Sequence, residues 1–358
     1  MMKKYLSFLP AVMLLVAGCV PAPKGSEISS RLREAATAST PLYGHQDDLM
    51  YGHEWNANRG DSPDLTRSDV KESCGHYPAI LGLDMGGIEL GSPRNLDGND
   101  FALMRRAAIA HHERGGIVSL SWHLRNPLTG GDAWDVSSDQ VVASILPGGE
   151  KHEYFLGWLD ALADWMLSLK AEDGTQIPLL WRPWHEHSGS WFWWGRNLCT
   201  DEQYNALWRM TYDHLVGVRG VEGLVWAISP NYMDRDFESW ETRYPGDGFV
   251  DVVGLDCYAS RDSERYIRQM HAGLGSLQRF CQEHGKILAV TETGLESLHD
   301  PLGWTGTLSR AMEGFPVSYV LTWRNASDRP THFYAPFPGH PGAEDFSEWI
   351  SRYHITML

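Results

Sequence analysis

From Pro41 to the C-terminus the chain alternates short apolar runs with stretches in which apolar residues recur every three to four positions. That is the pattern of repeated strand–helix units. Eight runs read as strands: Leu42–His45, Ala79–Met85, Ile117–His123, Ile177–Trp181, Leu224–Ser229, Val250–Tyr258, Ile287–Glu292 and Val317–Trp323. Several are unbroken β-branched or apolar segments, as expected of parallel strands covered on both faces. Between them, Phe155, Leu159, Leu162, Met166 and Leu169 fall on one helical face, as do Ile267, Met270, Leu274, Leu277 and Cys281. Thr200 and Gln203 predict a capping box that opens a helix running to about Val218. Helical signals also mark 101–114, 302–313 and 344–353, while 231–248 reads as loop. Eight strands with helical crossovers predict an α/β fold, a single (β/α)8 TIM barrel over residues 41–358.

A barrel of this kind gathers its chemistry where the strands end. Here the third strand ends Ser121-Trp122-His123, the sixth Asp256-Cys257-Tyr258, the seventh Thr291-Glu292-Thr293-Gly294 and the eighth Trp323-Arg324-Asn325. The fourth runs into the most unusual stretch of the chain, Leu179 to Gly195, LLWRPWHEHSGSWFWWG, which holds five of the 16 Trp. Pro183 forbids helix continuation and keeps Arg182 extended. A strand that opens into polar groups and flat indoles suits a sugar pocket, because indole faces stack on pyranose rings and exclude water. Exclusion of water in turn raises a carboxyl pKa towards neutrality. Glu186, crowded by indoles, is therefore the candidate acid/base. Glu292, among hydroxyls and near Tyr258, is the candidate nucleophile. Two such carboxylates are what glycoside hydrolysis requires.

Composition narrows the partners. The 46 acidic and 30 basic side chains leave a formal charge of −16, which argues against nucleic acid or anionic lipid and suits a neutral polymer. No phosphate-cradling or dinucleotide glycine motif follows a strand, so no cofactor is implied. His185 and His187 flank Glu186 without the helical metalloprotease spacing, and no metal is assigned. His111-His112 on a predicted helix reads as a solvated pair, and Asp84 and Glu89 as sugar contacts or salt-bridge partners. At the N-terminus, Lys3 and Lys4 precede the apolar Phe8–Ala17, too short to span a bilayer. Residues 1–18 read as a signal peptide. The ending Val16-Ala17-Gly18-Cys19 resembles a bacterial lipobox, with Cys19 the lipidated residue, the alternative being ordinary cleavage with Cys19 incidental. Residues 19–40 then read as a flexible tether, and the protein as exported and lipid-anchored to the outer membrane, on its periplasmic or cell-surface face. Cys74, Cys199, Cys257 and Cys281 leave three full disulfide pairings open.

Trp181-Arg182-Pro183-Trp184-His185-Glu186-His187, followed by Gly189, Trp191, Phe192 and Trp193-Trp194-Gly195, resembles the acid/base signature of glycoside hydrolase family 26, mainly β-1,4-mannanases. Val290-Thr291-Glu292-Thr293-Gly294 is similar to its nucleophile segment, and Ser121 to Trp134 to its third-strand loop. The resemblance implies a retaining double displacement on β-1,4-linked mannan or galactomannan, with Glu186 as acid/base and Glu292 as nucleophile. It further implies that His123 and His185 contact the sugar or the carboxylates, that Tyr258 hydrogen-bonds the nucleophile, that Trp191 and Trp323 are stacking platforms, and that Arg324 meets a sugar on the non-reducing side. Arg182 joins this substrate-binding set. A β-glucanase or β-xylanase on the same scaffold, or a glycan-binding lipoprotein without catalysis, are the alternatives.

Overall fold

The computed structural model describes residues 25–59 and 64–358. Eight parallel strands close into a ring: β1 Leu42–Gln46, β2 Ile80–Asp84, β3 Ile117–Ser121, β4 Leu179–Arg182, β5 Leu224–Ile228, β6 Val252–Ala259, β7 Ile287–Leu295 and β8 Tyr319–Thr322. Each overlaps one of the eight apolar runs. Closure comes from β1, which pairs with β8 through Leu42 opposite Tyr319 and with β2 through Gly44 opposite Ile80. The predicted helices are present as α3 Phe101–Glu113, α5 His152–Leu167, α6 Asp201–Tyr212, α7 Ser263–His284, α8 Trp304–Met312 and α9 Ala343–Arg352. Thr200 and Gln203 form the reciprocal capping box, and α6 continues as a π-helical segment to Val218. The short helices α2 (Asp69–Cys74) and α4 (Val141–Ile145) add to these. The fifth connection is mostly irregular, with a 3-10 segment Phe237–Arg243.

Two corrections concern the N-terminal part. Residues 25–38, expected within a flexible tether, form helix α1 (Gly25–Ala38). Its Ile28, Leu32 and Ala35 recur at i, i+4 and i+7 and are buried against Leu42, Ile80, Ile117, Leu180, Val225, Val252, Ile287 and Tyr319. These residues stand at or near the N-terminal ends of the strands, so α1 plugs the bottom of the barrel. The helix survives in a Ser- and Ala-rich segment because that open mouth offers an apolar face to cover. His111, read as solvated, is fully buried on α3, where burial pushes its imidazole down to about 4. The segments 1–18 and 19–24, including Cys19, lie outside the described residues. All four described cysteines are free thiols.

Strand β7 carries one residue more than its neighbours allow. Against β6, Leu255 faces Val290 but Asp256 faces Glu292; against β8, Val320 faces Val290 and Thr322 faces Thr293. Both partners skip one residue between Val290 and Thr293, which places a β-bulge at Thr291–Glu292. Ile287 and Ala289 face the barrel interior and Leu288 and Val290 the helices. Regular alternation would turn Thr291 inward and Glu292 outward. With the bulge both point inward, because a bulge re-aims side chains that a regular strand would alternate.

Leu32 lies at the centre of the plug with no exposed surface. Leu32→Ala should lower the unfolding free energy by about 2–5 kcal/mol, the range for buried Leu truncation. Urea titration at neutral pH reads this, and no change would mean that α1 does not close the barrel.

Candidate active site

Arg182 ends β4 almost completely buried and sits between two carboxylates. Its Nη1 donates to Asp256 Oδ2 (2.8 Å) and to Ser229 Oγ (3.1 Å), and its Nη2 donates to Glu292 Oε2. Asp256, at the inward-facing end of β6, also accepts from Ser229 Oγ (3.0 Å) and from Thr291 Oγ1 (2.6 Å). The bulge therefore supplies both an orienting hydroxyl and the carboxylate that Arg182 holds. Glu292 receives a second donor on its other oxygen, Tyr258 Oη at 2.7 Å. Burial and the adjacent Glu292 charge push the Tyr258 hydroxyl well above its ordinary pKa, so it stays protonated as that donor. A guanidinium on one oxygen and a phenol on the other hold the Glu292 carboxyl in a fixed, aimed position.

Glu186 follows the strand on a strained turn. Both Trp184 (φ 52°) and Glu186 (φ 55°) occupy the left-handed region, which is uncommon for side chains of this size. Three bonds hold the turn: Tyr204 Oη donates to the Trp184 carbonyl (2.8 Å), Trp194 Nε1 to the His185 carbonyl (2.9 Å), and Glu186 N–H to the Ser229 carbonyl (2.7 Å). From below, the fully buried Arg243 donates to the carbonyls of His187, Trp194, Arg196 and Cys199. Gly189 makes room for the Trp191 ring, since a Cβ there would lie 2.2 Å from it. Trp191 Nε1 then reaches Glu186 Oε2 at 2.6 Å, and Asn231 Nδ2 reaches Oε1 at 3.1 Å. Burial, reinforced by the Glu292 charge, pushes the Glu186 carboxyl up to about 7. One carboxyl poised to hold a proton near neutrality and one clamped by a cation and a phenol is the division of labour that acid/base-plus-nucleophile chemistry needs.

The histidines form a relay beside this pair. His123 Nδ1 lies 2.7 Å from Asp84 Oδ2. Although burial opposes charge on both, the pairing raises the His123 pKa and lowers that of Asp84. His123 Nε2 meets His185 Nε2 at 3.0 Å. Burial, with Arg182 and His123 nearby, pushes His185 well below its ordinary pKa, so His185 is the neutral acceptor and His123 the donor. Asp84 also accepts from Ser121 Oγ, and Glu89 accepts from Trp122 Nε1 (3.1 Å) and Arg125 N–H (2.8 Å). Both acids are framework partners.

The structure thus brings Glu186, Glu292, Tyr258, His123, His185, Trp191 and Trp323 together at the C-terminal mouth. Trp323 meets the His123 ring edge-on at 6.1 Å. Arg182, expected in the substrate-binding set, is buried with its guanidinium bonded to Ser229, Asp256 and Glu292, so it holds Glu292 in place. Arg324 stands further along the cleft, pairing with Asp97 (3.0 Å) and donating to Tyr51 Oη (3.0 Å) at the edge of a polar cavity of about 200 Å³. Of the five indoles between 181 and 194, only Trp191 is partly exposed; Trp181, Trp184, Trp193 and Trp194 are core. The sequence reading missed Asn231, hidden in a segment taken as loop, and Trp134, which is 48% exposed and stacks on His123 at 5.3 Å. The position of Trp134 at the end of a Gly- and Asp-rich loop was its available signal.

A family model described as glycosyl hydrolase family 26 matches residues 40–291. Among similar proteins, a mannan endo-1,4-β-mannosidase of Bifidobacterium adolescentis is 34% identical, over 84% of this chain and 32% of its own length. One from Thermothelomyces thermophilus is 31% identical, over 67% of this chain and 48% of its own. The chain spans less than half the length of either relative. A solved β-mannanase of Bacteroides ovatus, of the same family, superposes with a TM-score of 0.88 at 46% identity, covering 94% of this chain and 95% of that one.

His187 gives a pH test of this framework. It packs on Tyr204, neither ring nitrogen has a hydrogen-bond partner among the described residues, and burial with Arg243 and Arg196 nearby lowers its pKa well below 6.5. The unfolded chain therefore binds more protons than the folded one as pH falls through about 6.5, so its stabilising contribution is complete above that pH and lost below it. The urea midpoint should fall between about pH 7.5 and 5, and fall less in His187→Phe than in the wild type. Equal falls would show that His187 is not held neutral.

Proposed function

The chain belongs to glycosyl hydrolase family 26, and on that premise we propose that it is a retaining endo-β-1,4-mannanase acting on mannan or galactomannan. The observation that carries this reading is the pair Glu186 and Glu292 at one mouth, one pushed up to about 7 by burial and the other clamped by Arg182 and Tyr258. Relatives named as mannan endo-1,4-β-mannosidases support the choice of mannan. In the first step Glu292 attacks the anomeric carbon while Glu186 gives its proton to the departing glycosidic oxygen. The C1–O bond to the leaving sugar breaks and an ester to Glu292 forms. In the second, Glu186 takes a proton from water as that water attacks C1, and Glu292 departs with net retention. Trp191 and Asn231 keep the Glu186 carboxyl oriented through both steps. Trp191, Trp323 and Trp134 offer indole surface to the chain, and Arg324 with Asp97 and Tyr51 offers polar contacts further along it.

Glu186→Gln should lower kcat on mannan about 10²–10⁴-fold, and Glu292→Gln should abolish turnover. Early-time anomeric analysis of products should show retention. Because Glu186 must be protonated to act as acid, kcat/KM should fall on the alkaline side near pH 7. Trp191→Phe removes a donor that lowers this pKa, so the alkaline limb should move to higher pH. Full activity in both Glu variants would reject the site assignment.

We also propose that residues 1–18 are a signal peptide and that Cys19 is acylated, anchoring the protein to the outer membrane. Lys3 and Lys4, the apolar run to Ala17 and the Val16-Ala17-Gly18-Cys19 ending support this, and Val20 is not the Asp that commonly retains lipoproteins at the inner membrane. Cys19→Ser should move the protein from the membrane to the soluble fraction and abolish palmitate labelling. Membrane retention of the unlabelled variant would overturn the anchor.

A further inference from the structure

The position of α1 determines how an anchored molecule stands. This helix lies across the bottom of the barrel, opposite the strand ends that carry Glu186 and Glu292. Its first half runs beside the end of α3, where Glu27 and Arg31 act on the His112 imidazole. Further on, Arg33 Nη2 donates to the Gly285 carbonyl that follows α7 (3.0 Å). Gly25, the first residue of α1, comes only six positions after Cys19. Fully extended at ~3.3–3.6 Å per residue, that chain reaches about 20 Å. The nine residues of β7, at ~3.3 Å rise and a tilt of ~36°, separate the two faces of the barrel by about 24 Å before loops are added. The link is therefore too short to bring the mouth of the barrel down to a bilayer while α1 stays in its groove, and the buried Ile28, Leu32 and Ala35 keep it there.

We infer that the acylated protein rests on a lipid surface by its bottom face, with the catalytic mouth turned away from the membrane towards solvent and polymer. This rests on the acylation of Cys19 proposed above. The bottom face itself carries exposed Glu27, Glu34, Glu113 and Glu172 beside Arg33. With Lys170 and Arg31 also on this face, it mixes both signs of charge and is not a polybasic lipid-binding patch, so the acyl chains and the short link set the orientation. An endo-acting site facing away from the bilayer meets the middle of a long glycan without threading it along the membrane.

The test uses the full-length lipidated protein in phosphatidylethanolamine/phosphatidylglycerol vesicles containing a rhodamine-lipid energy acceptor. A donor dye is clicked onto Glu34→p-azidophenylalanine on the bottom face or Asp139→p-azidophenylalanine in the loop between β3 and α4; both positions are exposed and outside the catalytic machinery. Donor emission should be lost much more strongly at 34 than at 139. A long Gly/Ser insertion between Lys24 and Gly25 should restore emission at 34. Equal loss at the two positions, or greater loss at 139, with acyl chains present on Cys19 by mass spectrometry, overturns the orientation alone. Unacylated Cys19 in protein that does not float with vesicles overturns the anchoring reading, and the orientation with it.

Discussion

A single guanidinium buried between two acids organises the working end of this molecule. Arg182 is nearly inaccessible, and a charge in that position is tolerable only because Asp256 and Glu292 neutralise it and hydroxyls complete the hydrogen bonding. Each partner depends on a different strand. Arg182 ends β4, Asp256 lies on β6, Glu292 on the bulge of β7, and Ser229 just beyond β5. The cation therefore fastens strands β4, β6 and β7 at the level where chemistry takes place. It also sets the two glutamates apart. Among the described residues the Glu186 oxygens accept from an indole and an amide and from no guanidinium, so burial is free to favour its protonated form.

Much of this was legible in the amino-acid order. The eight apolar runs matched the eight strands because parallel strands sandwiched between layers must be apolar on both faces, a local requirement. The concentration of polar residues at the ends of those runs followed from the barrel architecture, and Glu186, Glu292 and Tyr258 could be picked out on that basis. The Thr200 capping box was readable because its partners lie three positions apart.

What stayed hidden depends on distant parts of the chain. The Ile28, Leu32 and Ala35 stripe of α1 is too sparse to predict a helix by itself; it becomes one because the barrel floor presents a matching surface formed by residues from 42 to 321. His111 looked polar in sequence yet fills a gap at Gly116, where even a Cβ would strike its ring. The indoles around Glu186 could not be sorted into core and cleft by composition, because four of them are covered by Phe155, Tyr204 and other residues from later or earlier helices. The inward aim of Arg182 required knowing that Asp256 would stand across from it.

The bulge on β7 has an evolutionary corollary. Because two successive side chains share one face there, Glu292 is placed by a count of residues and not by any chemical preference of the strand. Losing a single codon between Ile287 and Glu292 would remove the bulge and restore regular alternation: the ring would still close and the carboxylate would still face inward, yet the Thr291 hydroxyl that orients Asp256 would be lost from the interior. Drift by substitution can be absorbed gradually along this strand, but drift by length cannot.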